Sequence, residues 1–219
     1  QKGNIITVNT ESKDGKKKTI SAESLLIATG RIPNSDLLQV EKTGVETNEQ
    51  GYVKINDYLE TTAKNIWALG DIAGKYLLKH SANLEGLYAW NNMMKQKKKV
   101  DYWPMPHAVF SSPQIAAVGF TEEELQKKKI NYAVGKYPYS TTGMGLALNE
   151  KDGFAKILVD RKTKKILGCH IIGPEASSII HEVVVAMKAN LTVESLMKAV
   201  HIHPAMSEVV QRAAGRIEW

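Results

Sequence analysis

The sequence predicts a mixed α/β chain in two parts: a partial central α/β domain, then an α+β domain whose antiparallel sheet carries flanking helices. Three observations predict it. First, strand-length apolar runs (Ser24 to Ala28, Asn65 to Leu69) are followed by a helical spacing of apolar residues from about Leu77 to Met94. Second, Pro104 and Pro106 mark a break near residue 103. Third, three strand-like runs, the last two joined by a short turn, then precede a long amphipathic helix.

Taken in order, Asn4 to Asn9 reads as a strand. Ser12 to Lys18, with Asp14-Gly15, reads as a hairpin turn, and Thr19 to Ile27 as the returning strand. Ser24 to Ala28 is continuously apolar, which suits a buried strand. It stops at Thr29-Gly30-Arg31, and a turn follows at Pro33-Asn34-Ser35. Asn65 to Leu69 reads as a second short buried strand, ended by Gly70-Asp71. The helix after it places Leu84, Leu87, Tyr88 and Met94 on helical spacing, and the basic tail from Lys95 to Lys99 suits its C-terminus. Past the prolines, Val109-Phe110 and Ile115 to Val118 are strand-like. Thr121 with Glu124 forms a capping box for a short helix to about Lys128. Tyr132 to Tyr137, Phe154 to Val159 and Lys165 to Ile172 read as antiparallel strands, with Asp160 to Lys164 as the turn between the last two. Pro174 to Ala189 is an amphipathic helix with Ile179, Val183, Ala186 and Met187 on one side. Thr192 and Ser195 start a short helix, and Pro204 opens the last one in the first-turn position that proline favours.

Composition narrows the function classes. With 219 residues, 43% of them hydrophobic and 24% charged, the chain can bury a core without staples. One cysteine excludes an intrachain disulfide framework, a cysteine-based metal cluster and a dithiol site made by this chain alone. The longest apolar stretch, Ile179 to Leu191, is interrupted by His181, Glu182, Lys188 and Asn190, so no membrane span is expected. The net charge of +6 comes from short clusters (Lys16 to Lys18, Lys97 to Lys99, Lys127 to Lys129, Lys162 to Lys165) at turns and helix ends. No aromatic lies inside any of them, a layout that argues against nucleic acid. Starting at Gln-Lys-Gly-Asn, without Met or a signal pattern, the chain suggests processing or a fragment cut inside a longer protein.

Three clusters can carry chemistry. In His201-Ile-His203-Pro204-Ala-Met-Ser207-Glu208, His203 precedes proline and is pushed out of the helical region. Glu208 can lean back onto its imidazole; a carboxylate on one ring nitrogen raises the basicity of the other, making a general base. The plain alternative is a polar residue that merely precedes a helix. A His201–His203 metal pair lacks a third ligand nearby, so no metal is expected. Gly70-Asp71, at the end of an apolar strand, permits close backbone approach and offers an acceptor for sugar-like hydroxyls, or is only a turn. Ala28-Thr29-Gly30-Arg31-Ile-Pro33-Asn34 stands in the same relation to the preceding apolar run.

In that order and at those intervals, A-T-G-R-I-P-N (28–34), I-W-A-L-G-D (66–71), F-S-S-P-Q-I-A-A-V-G-F-T-E (110–122) and H-I-H-P-A-M-S-E (201–208) resemble the pyridine-nucleotide disulfide oxidoreductases. These are FAD enzymes that relay electrons between NAD(P)H and a disulfide. Within that family the His-Pro-x-x-Ser-Glu form is most similar to dihydrolipoamide dehydrogenases. The resemblance implies that residues 1–29 are the tail of an NAD-binding domain, 30–103 a partial central, FAD-contacting domain, and 104–219 a dimerisation (interface) domain. It implies that Thr29 and Gly30 pass close to the flavin, that Asp71 bonds the ribityl chain, and that Gly70 gives clearance. Leu77, Leu78, Lys79 and His80 match the segment whose backbone faces the isoalloxazine ring. His203 would be the acid–base residue and Glu208 its orienter, acting on the flavin and disulfide of the other subunit of a homodimer. A lipoyl-bearing protein or a small disulfide would be the substrate, FAD and NAD the cofactors.

The family's Gly-x-Gly-x-x-Gly loops and its Cys-x-x-x-x-Cys pair are absent from this sequence. Gly143-Met-Gly145 does not complete a loop, because Leu148 stands at the third position, and Cys169 lies in an apolar strand as a structural thiol. The expectation is a C-terminal half that holds FAD weakly or not at all and does not turn over alone. The alternatives are a non-catalytic dimerisation module, or the same half of another reductase such as a glutathione reductase. The lack of a signal and the low cysteine use point to the cytoplasm.

Overall fold

A computed structural model describes residues 3–94 and 96–219. The chain begins with a hairpin: β1 (Ile6–Glu11) and β2 (Lys17–Ala22) pair antiparallel from Ile6↔Ala22 to Glu11↔Lys17. Its turn is closed by the Gly15 amide on Ser12 and the Ser12 amide on Lys16. The returning strand ends at Ala22, short of Ile27. The buried strand expected at residues 24–28 does not form; Leu26 is 89% exposed and Ile27 74%. A continuous apolar run becomes a buried strand only when strands flank it, and none of the described residues pairs with it.

The second expected strand, Asn65 to Leu69, shrinks to one bridge, Glu60↔Trp67. Its backbone instead leans on the preceding loop, through the Thr61 amide on Ile66 and the Ala68 amide on Leu59. Val45, Val53 and Leu59 are buried beneath these turns. The helix α1 (Lys79–Met93) forms as expected, but with its faces reversed. Ser81, Glu85, Ala89 and Asn92 are buried, whereas Leu87 and Met94 are exposed and Leu84 and Tyr88 only partly covered. Hydrogen bonds explain the reversal. The Ser81 hydroxyl donates to Leu78, and Asn92 donates to the Tyr58 and Lys98 carbonyls while accepting the Lys98 amide. A polar stripe so satisfied can be buried at little cost. The basic tail packs back, with Lys97 on Glu60 and Lys99 on Asp57; Lys95 lies outside the described residues.

The second part is one five-stranded antiparallel sheet in the order β3-β4-β7-β6-β5. The strands are β3 (His107–Val109), β4 (Gln114–Gly119), β5 (Tyr132–Pro138), β6 (Phe154–Asp160) and β7 (Ile166–Gly173). Between β4 and β5, α2 (Glu122–Lys127) starts from the expected capping box: Thr121 accepts the Glu124 amide, and Glu124 accepts the Thr121 amide. Three helices follow, α3 (Gly143–Ala147), α4 (Ala176–Lys188) and α5 (Val193–Lys198). The last, α6 (Glu208–Ala214), rests on β5 and β6, while α4 rests on β4 and β7. The four apolar residues singled out on α4 are all buried, against Val118, Ile157, Cys169 and Ile171.

Pro204 does not open the last helix. Residues 204–207 form a turn, and α6 begins at Glu208 after Ser207. The Glu208 carboxylate reaches back to the Ala205 amide at 3.1 Å, tying down the turn that separates the proline from the helix.

Candidate active site

Two residues apart, His201 and His203 face different surroundings. His201 turns inward, its side chain 8% exposed, with Nδ1 on the Ala199 carbonyl at 3.0 Å and Nε2 on Glu182 at 3.0 Å. Both ring nitrogens are engaged, so it is a structural histidine. His203 turns outward, its side chain 69% exposed, and its Nδ1 lies 3.1 Å from both oxygens of Glu208. Among the described residues no group of three or more potential ligands gathers for a metal, and the histidine pair is split between partners.

Glu208 is almost fully buried, its side chain 6% exposed. Burial alone would raise its pKa, but the Ala205 amide, His203 and Arg212 together hold the carboxyl below its ordinary value. It therefore stays ionised against the imidazole. An acceptor at Nδ1 places the proton there and leaves Nε2 as the basic nitrogen. Gly143, the first residue of α3, lies against the ring: a Cβ there would meet His203 Cε1 at 2.8 Å.

The second cluster is built on a 3-10 turn, Gly70–Ala73. Arg31 Nη1 donates to Asp71 Oδ2 at 2.6 Å and to the Leu77 carbonyl at 2.8 Å, drawing the three segments together. Gly70 has φ +75, a conformation that favours glycine, and a Cβ on it would come close to that of Ala82, at 3.3 Å. Leu77 is left-handed (φ 57), and Leu78 precedes α1 with no side chain capping the first-turn amides. Lys79 bonds Asn83, and His80 Nε2 meets the Pro106 carbonyl at 2.8 Å. A largely apolar groove of about 560 Å³ runs from Leu78 and His80 past Trp103 and Pro106 to Ile180 and Val184. Thr29 and Gly30 are exposed, and no heavy atom lies within 4 Å of where a Gly30 Cβ would stand.

Two residues escaped the sequence reading. Arg31 lies within A-T-G-R-I-P-N, and its partner Asp71 is forty residues away. Glu85 is 1% exposed and accepts the Gly70 amide at 2.5 Å and the Tyr102 hydroxyl at 2.8 Å. Its signal is the set of polar residues Ser81, Glu85 and Asn92 at helical spacing. No hydrogen bond among the described residues joins the His203–Glu208 cluster to the Asp71–Leu77 cluster.

Residues 105–214 match the family described as pyridine nucleotide-disulphide oxidoreductase, dimerisation domain, and residues 2–97 match that described as pyridine nucleotide-disulphide oxidoreductase. The chain belongs to the pyridine nucleotide-disulphide oxidoreductases. It is 36% identical over 211 residues to the dihydrolipoyl dehydrogenase of Cupriavidus necator, covering 96% of this chain and 44% of that protein. It is likewise 36% identical over 209 residues to that of Geobacillus stearothermophilus, covering 95% of this chain and 44% of that protein. Among solved structures it is similar to RclA, an HOCl-induced flavoprotein disulfide reductase from Escherichia coli. That match has a TM-score of 0.86 at 28% identity and covers 95% of this chain and 48% of the other. The chain thus spans less than half the length of the relatives it matches. No helix among the described residues is long and apolar enough to cross a membrane.

Proposed function

We propose that this chain is the C-terminal part of a dihydrolipoyl dehydrogenase-like oxidoreductase that takes electrons from a dihydrolipoyl dithiol to NAD. The observation that carries the reading is the His203–Glu208 pair: an exposed imidazole whose Nδ1 faces a buried, ionised carboxylate at 3.1 Å. Such a ring can take a thiol proton at Nε2, and Glu208 stabilises the imidazolium that results. The thiolate so formed is the species that attacks a disulfide. That disulfide lies outside this chain, whose single cysteine is buried Cys169.

Bound FAD would supply the two-electron link between the disulfide and the nicotinamide. The residues present fit it. Asp71 offers a half-exposed carboxylate, and the uncapped amides at the start of α1 suit a polar or electron-rich group. Arg31 fixes both segments, so Asp71 and Leu77–His80 are presented together. Thr29, Gly30 and Gly70 complete the proposed cofactor-facing set. We assign residues 1–29, 30–103 and 104–219 to the tail of the NAD domain, the partial FAD-contacting domain and the interface domain, and the whole protein to a cytoplasmic homodimer acting on a lipoyl-bearing partner. That no hydrogen bond among the described residues joins the His203–Glu208 cluster to the Asp71–Leu77 cluster supports a site completed by a second subunit.

The test is a chimera in which this chain replaces the matching segment of the Cupriavidus necator relative. The chimera should oxidise dihydrolipoamide with NAD, and His203→Gln should lower kcat about 10²–10⁴-fold. Unchanged turnover in the variant refutes the assignment. The single cysteine favours a second reading of the isolated chain, a dimerisation module without catalysis; stoichiometric flavin or turnover in the purified chain would refute that one.

A further inference from the structure

We infer that Gly143 is a positioning residue for His203, holding the imidazole on Glu208 by offering it a wall without a side chain. The three heavy atoms nearest to a Cβ at Gly143 all belong to the same two residues: His203 Cε1 at 2.8 Å, Pro204 Cβ at 3.4 Å and His203 Nδ1 at 3.5 Å. Glu208 grips Nδ1 at 3.1 Å. The same edge of the ring, Nδ1 and Cε1, is thus engaged by the Glu208 carboxylate and lies close against the backbone of Gly143.

The backbone gives no other reason for glycine here. Gly143 is not among the residues with positive φ, and it stands in a helix, where alanine is the better former. Gly145, two residues on, makes the contrast. A Cβ there would lie 1.9 Å from the Tyr139 carbonyl and 2.7 Å from the Thr142 hydroxyl, so it serves the main chain. Of the two glycines in Gly143-Met-Gly145, one is needed by the fold and the other by the histidine.

An added methyl at Gly143 has a cheap way out. The exposed ring can swing aside at little cost in stability, but it then leaves the carboxylate that sets its tautomer. Gly143→Ala should therefore leave the chain folded and disorder the base. The catalytic meaning of this device rests on His203 being the proton acceptor proposed above; the geometry does not.

The experiment uses the full chain and follows the His203 ring by ¹⁵N-edited NMR, assigned by comparison with His203→Ala. In the unsubstituted chain the ring should carry its proton on Nδ1, with that proton protected by Glu208. Gly143→Ala should abolish the protected Nδ1 proton signal while the circular dichroism spectrum is retained. A thermal-melting cycle supplies the second readout. In the His203→Ala background the obstacle is gone, and Gly143→Ala should leave Tm unchanged or raise it. An unaltered Nδ1 signal in Gly143→Ala overturns the inference. So does an equal fall in Tm, or failure to fold, in both backgrounds. If the NMR result holds while His203→Gln in the chimera is inconsequential, the dithiol reading falls and the positioning contact stands.

Discussion

Glu85, midway along α1, accepts the backbone amide of Gly70 at 2.5 Å and so locks the helix to the turn that bears Asp71. Its other oxygen takes the Tyr102 hydroxyl at 2.8 Å; burial first, and Glu85 second, push that hydroxyl well above its ordinary pKa. Glu85→Ala strands a part-buried amide and a half-buried hydroxyl, and a stranded group costs up to about 1–3 kcal/mol when fully buried. We expect a loss of about 2 kcal/mol or more in urea unfolding. Glu85→Gln, which keeps one acceptor, should lose less. Equal stability of all three proteins would remove Glu85 from this role.

Two glutamates near the histidines should respond oppositely to acid. The Glu208 carboxyl is held below its ordinary value of 4.5, so its contribution is present above that pH and fades as the pH falls through the lowered value. Glu208→Gln should therefore flatten the acid limb of Tm against pH. Burial raises Glu182 above 4.5 despite its bond to His201, so its contribution is present below that pH and is lost as the pH rises. Glu182→Gln should gain relative stability at pH 7 and forfeit the gain below about pH 4.5. Parallel curves for both variants and the unsubstituted chain would contradict the assignment.

Gly135, in β5, lies directly under α6. A Cβ at this position would stand 2.1 Å from the Ala213 carbonyl and 2.8 Å from Ile217 Cγ1. Gly135→Ala must lift the helix that carries Glu208, at a cost of about 1–3 kcal/mol. Chemical denaturation reads the cost. A variant as stable as the parent would mean that the sheet and α6 can separate freely.

Cys169 is fully buried in β7, and burial pushes its thiol up to about 12. Reaction with an aromatic disulfide reagent at about pH 8 should therefore be undetectable in the native chain and complete in guanidinium. Prompt modification under native conditions would show the core to be open.

What the sequence made legible was local. The Thr121–Glu124 capping box spans three residues, and the His203–Glu208 pair spans five. Both kinds of contact are decided within a turn or two of backbone. The strands β5 to β7 were legible because each is a strand-length apolar or alternating run, and β6 and β7 are joined by a short turn. Residues 24–28 misled because burial is a property of neighbours, not of a run's own hydrophobicity. The faces of α1 misled for a related reason. Ser81, Glu85 and Asn92 are buried by partners at Leu78, Gly70, Tyr58 and Lys98, and for Glu85 and Asn92 the sequence cannot announce those pairings. Arg31 and Asp71 meet across forty residues by the same kind of long-range closure.

The bare stretch Leu25-Leu26-Ile27 bears on how the chain behaves in concentrated solution. An extended apolar segment with no ladder partner among the described residues is a template on which another molecule can add a strand. The net charge of +6 opposes such encounters, but with a reach of only about 10 Å at 0.1 M salt. Colloidal stability should therefore shrink as salt is added, and precipitation should begin from this segment before the sheet at the other end has lost any of its order.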